Sequence, residues 1–144
     1  YEFLSNFYET EQESCLEHRF GNNIIKMSHA GSTLEHLFQA AKSLNLNDQY
    51  CILSTKTPGQ AKKIGRKIGL RNDWEKVKID IMKQLVFDKF NQNLDLKQRL
   101  LDTGSRELIE GNTWGDKFWG TVDGVGQNWL GKILMETREK LKNT

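Results

Sequence analysis

Glu35, Gln39 and Lys42 stand at i, i+4 and i+7 in the run LEHLFQAAK (34–42), a spacing that lines a carboxylate, an amide and an amine along one side of a helix. Such a set can serve general acid–base or nucleophilic catalysis. Each member also has a plain reading. Ser32-x-x-Glu35 is a capping box, in which the carboxylate only reaches back to the cap amide, and Lys42 can be a solvated surface lysine.

A second concentration of chemistry lies near the other end. Residues 111–131, GNTWGDKFWGTVDGVGQNWLG, hold six of the twelve glycines and three of the four tryptophans, gathered around Asp116. Glycines let backbone approach a ligand closely, and a helix starting near Trp129 offers free N–H groups and a favourable dipole to an anion such as phosphate. An indole gives a base a flat stacking surface. The competing reading is that Trp114, Trp119 and Trp129 fill the core between helices.

Residues 56–71, KTPGQAKKIGRKIGLR, carry Lys56, Lys62, Lys63, Arg66, Lys67 and Arg71 with no acid, so this patch could meet phosphate. A solvated helix face balanced by acids elsewhere is the alternative. The net charge of only +2 argues against a dedicated duplex-DNA binder. Cys15 and His18 have C-x-x-H spacing, but nothing nearby completes a zinc ligand set, so no metal site is expected.

These residues must be held by a helix-rich framework. Leu34, Leu37, Phe38, Ala41 and Leu44 repeat at helical spacing and form an apolar face. Thr57, Pro58 and Gln60 mark a helix start, with a capping side chain, a proline in the first turn and a capping-box partner. In WEKVKIDIMKQLVFDKFN (74–91), Trp74, Val77, Ile81, Met82, Leu85, Val86 and Phe90 give a broad apolar stripe, which predicts a well-buried central helix. LDLKQRLLDTG reads as a shorter helix stopped by Gly104. NWLGKILMETREKLK reads as a final amphipathic helix capped by Asn128. SCLEHRF and NIIKMS, separated by Gly21 and Asn22, look like a hairpin, and RELIEG like a strand. The sum is α+β: one helix-rich domain over residues 1–144 with a small β component.

The length of 144 residues suits one ordinary domain with its own core. No apolar run approaches the roughly 18 residues of a membrane helix. The acidic N-terminal stretch is not a secretory peptide, the missing initiator Met implies a few preceding residues, and the expected compartment is the cytoplasm. Two cysteines, Cys15 and Cys51, are expected as free buried thiols.

Five separated segments then agree. FLSNFY (3–8), EHLFQAAK (35–42), TPGQAKKIGRK (57–67), LRNDWEKVKIDIM (70–82) and DKFWGTVDGVGQNWLGKILM (116–135) resemble, in order, the motifs of the NADAR family, over nearly the whole chain. The resemblance implies an N-glycosidase-type hydrolase that needs no cofactor and cleaves the bond between an anomeric ribose carbon and an exocyclic amine. Its implied partners are an ADP-ribose or ribosyl-phosphate moiety, with ADP-ribosylated guanine in nucleic acid as the leading substrate. Ribosylated amino-pyrimidine phosphates of riboflavin biosynthesis are the alternative, and a module that binds ADP-ribose without cleaving it is the competing class.

Carried onto this sequence, the resemblance makes Glu35 and Asp116 the acids and Lys42 the amine. It makes Ser5, Asn6, Phe7, Gln39, Trp119, Gly120, Asn128 and Gly131 the substrate wall, joined by Glu110, with Arg66 of the basic patch toward phosphate. Lys42 would act through a Schiff base, or else steady charge while a carboxylate-activated water attacks directly. The chain departs from the family at SHAGSTLEH, where an aromatic or proline often precedes the Glu-His pair. It departs again between Glu110 and Asp116, where many members are shorter and carry Ser-Pro.

Overall fold

The LEHLFQAA run forms helix α1 (Leu34–Ala41), and Thr33 rather than Ser32 caps it. The Thr33 Oγ1 accepts from the His36 amide, and the Thr33 amide donates to His36 Nδ1 at 3.2 Å, a capping box closed by an imidazole where a carboxylate was expected. With Nδ1 accepting, the ring proton sits on Nε2, which donates to the Thr55 carbonyl at 3.1 Å. Glu35 is therefore released from capping.

The computed structural model describes residues 1–10 and 33–144; the predicted hairpin around Gly21 and Asn22, and with it Cys15 and His18, lies outside the described residues. The described chain divides into two compact units, Tyr1–Gln92 and Asn93–Thr144.

In the first unit a short 3-10 turn, Glu2–Leu4, precedes α1, which packs on α2 (Leu46–Leu53), α3 (Pro58–Gly65) and α4 (Trp74–Gln92). Every residue of α1 is buried, so the helix has no solvent side. Leu44, expected on its apolar face, lies beyond the helix end and is exposed. The α2 helix has no counterpart in the sequence reading. It buries only Gln49 and Ile52, and Asn45 starts it by accepting from the amides of Asn47 and Asp48. That is too few apolar positions to show a period.

Thr57 and Gln60 form the expected reciprocal cap of α3 around Pro58. All seven residues of the predicted α4 stripe are buried. Phe38 of α1 meets Trp74 of α4 with ring centroids 5.2 Å apart. Cys51 is a free thiol but exposed, which corrects the expectation of a buried one, because it falls on the solvent side of α2.

The second unit packs α5 (Leu94–Leu101) on α6 (Trp129–Lys142), with a long irregular segment between them. Gly104, at φ +66°, takes the left-handed turn that follows α5. Arg138 of α6 donates from Nη1 to Thr103 Oγ1 (2.8 Å) and the Arg106 carbonyl (2.9 Å), fixing the exit from α5. RELIEG is not a strand: its last backbone groups bond to the Asn128 side chain and, in one isolated parallel bridge, to Thr121. Among the described residues the β component reduces to three isolated bridges: Glu9 with Thr33, Gly111 with Thr121, and Val122 with Val125. No described helix is long and apolar enough to cross a membrane.

One polar residue occupies the buried face of α4. Lys89 lies one turn beyond Leu85, is 1% exposed, and donates from Nζ to the carbonyls of Phe3 (2.7 Å) and Ser5 (2.8 Å). Burial lowers its pKa to about 7. The unfolded chain, whose lysine titrates at its ordinary value, therefore binds more protons than the folded one between pH 7 and 10, so the cost of burying this lysine shrinks as pH rises. Relative to Lys89→Met, the wild-type protein should gain roughly 3 kcal/mol of unfolding free energy between pH 7 and pH 10. Urea titrations of both proteins at the two pH values measure this, and a gap that stays constant refutes it.

Candidate active site

In the first unit, Glu35 sits in the first turn of α1, only 7% exposed, with its amide bonded to the Asn6 carbonyl at 3.0 Å. One turn on, Gln39 donates from Nε2 to Glu35 Oε1 at 2.6 Å, which fixes the carboxylate's orientation. Gln39 is itself wedged. A Cβ built on Gly65 of α3 would run into Gln39 Oε1, so a side chain there would force this amide to move. That oxygen is buried and has no hydrogen-bond partner among the described residues.

Lys42 is the C-cap of α1 and half-buried, its Nζ 6.0 Å from the Phe38 ring centroid. Burial lowers its pKa, Glu35 opposes that by attraction, and the charges of Lys62 and Arg66 lower it further. A lysine in this setting gives up its proton more readily than a surface lysine does and so becomes a better nucleophile. The helical spacing of Glu35, Gln39 and Lys42 thus yields a working group: an oriented carboxylate and a lysine under its electrostatic influence.

The Ser5–Phe7 segment borders this group. Ser5 Oγ accepts from the Phe7 amide at 3.1 Å, and Asn6 Nδ2 faces Met82 Sδ at 3.6 Å. Phe7 is exposed, with Lys62 Nζ 6.0 Å from its ring centroid. Ser5, Phe7, Glu2, Tyr8 and Glu9 line an open cleft of about 600 Å³. Arg66, at the end of α3, is exposed. Arg71 leaves the basic patch: it is buried and holds Asp73 through Nε–Oδ1 (2.6 Å) and Nη2–Oδ2 (3.1 Å).

In the second unit, Asp116 is bound into a local turn. Its Oδ1 accepts from the amides of Phe118 and Trp119, both at 3.0 Å, while its own amide and carbonyl bond to the Asn112 side chain. Glu110 lies close enough to interact with it: burial raises the Glu110 pKa, and the negative charge of Asp116 raises it further. Two carboxyl groups with unlike environments can divide acid and base work. Glu110, which the resemblance only adjoined to the wall, holds its proton more firmly than an ordinary glutamate side chain does.

Asn128 stands at the N-cap of α6, the position expected of it. Asn128, at φ +53°, makes no side-chain cap on α6; its Oδ1 accepts from the Glu110 amide (2.8 Å) and its Nδ2 donates to the Leu108 carbonyl (2.9 Å). A Cβ on Gly131 would lie 2.2 Å from the Leu108 oxygen, and one on Gly120 would lie 2.6 Å from the Glu110 oxygen. These glycines admit backbone to backbone, not phosphate to backbone. The expected anion site at the start of α6 is also spent, since the amides of Asn128, Trp129 and Leu130 donate to the carbonyls of Gly120, Phe118 and Trp119. Trp119 is half-buried, its ring edge-on to Phe118 at 4.8 Å, whereas Trp114 is 62% exposed and fills no core. Among the described residues no cluster of His, Cys, Asp or Glu could hold a metal ion.

A carboxylate and a lysine on one helix of the first unit are groups that can serve acid–base or nucleophilic chemistry, and the comparisons give the class of enzyme. The NADAR domain model matches residues 1–142, so the chain belongs to the NADAR domain family. It is similar to the N-glycosidase YbiA of Escherichia coli (36% identical, 96% of this chain, 88% of that protein). It is also similar to the N-glycosidase Npun_R5314 of Nostoc punctiforme (39%, 78% of this chain, 75% of that protein). The riboflavin biosynthesis protein VVA0006 of Vibrio vulnificus matches at 35% over 94% of this chain, which spans only 38% of that longer protein. The NMR structure of E. coli YbiA superposes with a TM-score of 0.80 at 33% identity, over 98% of this chain and 78% of that one. The protein is an enzyme, a hydrolase of the N-glycosidase class.

Two substitutions probe the geometry. Gly65→Ala should displace Gln39 from Glu35, destabilising the fold by about 1–3 kcal/mol in urea denaturation while lowering turnover of the folded fraction; unchanged stability and turnover would show that the wedge is not needed. Asp116→Asn removes the negative neighbour of Glu110, so the Glu110 carboxyl should titrate at lower pH in carbon-detected NMR. An unmoved titration would show that Asp116 is not coupled to it.

Proposed function

We propose that the protein hydrolyses the bond between the anomeric carbon of a phosphate-bearing ribose and an exocyclic amine, with ADP-ribose on guanine in nucleic acid as its leading substrate. The observation that carries the reading is Lys42, a lysine inclined to lose its proton, beside a buried carboxylate held by Gln39.

The reaction runs in balanced steps. An acid protonates the ribose ring oxygen, the ring opens, and the nitrogen lone pair forms an iminium at the anomeric carbon. Neutral Lys42 adds to that carbon, and the substrate amine leaves with a proton, so the iminium now joins Lys42 to the sugar. Water adds, with Glu35 accepting its proton, and the C–N bond to Lys42 breaks to release the free sugar and the amine form of the lysine. Arg66 and Lys62 add positive charge for the phosphate, and Ser5 and Phe7 supply polar and flat surface to the sugar and base.

The exposed basic residues of α3 and the turn after it, Lys63 and Lys67, favour a nucleic-acid-borne substrate over a small one. A second reading, ribosylated amino-pyrimidine phosphates, is favoured by the names of the riboflavin biosynthesis relatives from Vibrio vulnificus and Zea mays.

Borohydride added during turnover of an ADP-ribosyl-guanine oligonucleotide should fix the sugar on Lys42, seen as a modified peptide by mass spectrometry and missing from Lys42→Ala. Turnover without any adduct would favour direct water attack. Glu35→Gln should lower kcat by at least about a hundredfold and leave substrate affinity within about tenfold, ~1.4 kcal/mol. Equal loss of both would point to binding without catalysis. Faster sugar release from the ribosylamino-pyrimidine phosphate than from the oligonucleotide would select the second reading.

A further inference from the structure

We propose that Lys89 is a positioning residue for the reaction, holding the Ser5–Phe7 segment against the first turn of α1 so that Glu35 and the substrate wall keep one geometry. The inference rests on the reading in which Glu35 acts at the reacting bond.

The connection runs through four hydrogen bonds. Lys89 Nζ donates to the carbonyls of Phe3 and Ser5 at 2.7 and 2.8 Å. The Ser5 carbonyl also accepts from the Tyr8 amide at 3.1 Å, closing the turn that contains Asn6 and Phe7. The Asn6 carbonyl, one residue beyond the Lys89 contact, accepts from the Glu35 amide at 3.0 Å. A rigid central helix is thus tied, through one turn of N-terminal chain, to the residue that carries the carboxylate.

Core packing does not explain a lysine at this place. Its neighbours on α4, Leu85, Val86 and Phe90, are almost fully buried, and the ammonium lies 5.2 Å from the Phe90 ring and 5.7 Å from that of Tyr8. An aliphatic side chain would fill such a space without desolvating a charge. What it would not do is give two carbonyls of an irregular segment a shared donor. A lysine has three donors at the end of a long stem, so it can reach both at once. Among the described residues the segment makes few helical or sheet bonds of its own, so this anchor adds to the burial of Phe3 and Leu4 in fixing its placement.

The test uses the full chain as Lys89→Met and Lys89→Arg. In Lys89→Met the amides of Glu35 and Tyr8 should lose at least about tenfold of their protection against hydrogen exchange, while α4 amides such as Leu85 keep theirs. KM should rise about fivefold or more and kcat fall about tenfold, because Ser5, Phe7 and Glu35 shift together. A variant that merely unfolds a fraction of molecules would lower apparent kcat at constant KM. Lys89→Arg, which keeps the donors, should recover most of both. Wild-type protection and kinetics in Lys89→Met would overturn the proposal, as would arginine failing to recover what methionine loses.

If neither variant folds, exchange in the wild-type protein decides. Anchored by Lys89, the Glu35 and Tyr8 amides should exchange as slowly as the α4 core, and fast local opening there refutes the anchor. A Glu35→Gln variant run alongside separates the two levels: if it retains activity, the function assigned to Glu35 fails, whatever Lys89 does.

Discussion

The reciprocal cap between Thr33 and His36 decides what Glu35 is available to do. A helix of eight residues cannot leave its first amides open inside a protein, and some side chain has to take them. Had Glu35 closed the box with Ser32, its carboxylate would have been spent on a backbone amide. Because the imidazole takes that task and anchors its far nitrogen to Thr55, the carboxylate turns along the helix to Gln39. Gly65 then supports the arrangement, since a side chain there would push the Gln39 amide from its place. Cap, carboxylate, amide and glycine form one sequence of dependencies, and the half-buried Lys42 sits at its end.

The second unit reaches its carboxyl pair by another route. There is little regular structure between α5 and α6 to hold Glu110 and Asp116, so the irregular segment is held by specific bonds. Asn128 pins the Leu108–Glu110 stretch from both its amide ends, Asp116 folds back on the amides of its own turn, and Gly120 and Gly131 let the strands of chain touch. Close approach between parts of the protein accounts for Gly120, Gly126 and Gly131, whereas Gly115 and Gly124 serve by their positive φ.

Periodic signals were legible in the sequence. The α4 stripe, the Thr57–Gln60 cap and the Glu35–Gln39–Lys42 face all follow from 3.6-residue spacing, which depends only on neighbours along the chain. What needed three dimensions was missed. The choice between Ser32 and Thr33 as cap turns on a contact with Thr55, nineteen positions from His36. The strand expected at RELIEG lost to bonds from Asn128, eighteen positions beyond Glu110. Lys89 was half-visible: its place one turn after Leu85 puts it on the buried stripe, but no local pattern says that two carbonyls wait for it. Glu110 had only a family resemblance to recommend it, because its raised pKa comes from burial and from Asp116, six residues away through an irregular turn.

Lys42 and Lys89 show how one physical effect can be put to two uses. Burial disfavours the ammonium of each, so both hold their protons less firmly than an ordinary lysine. Around Lys89 the nearest polar atoms are carbonyl oxygens, which accept hydrogen bonds whether or not the nitrogen is charged, so its donors stay engaged across the titration. Lys42 instead feels the cations Lys62 and Arg66, which bias it toward the neutral amine, and Glu35, which pulls the other way. That balance depends on what else is bound. An anion resting against Lys62 and Arg66 would screen their repulsion and return charge to Lys42, whereas its departure would free the amine again. A bound anion would therefore adjust the amine beside it, and the depth of burial of Lys42 sets how much of the neutral form survives that encounter.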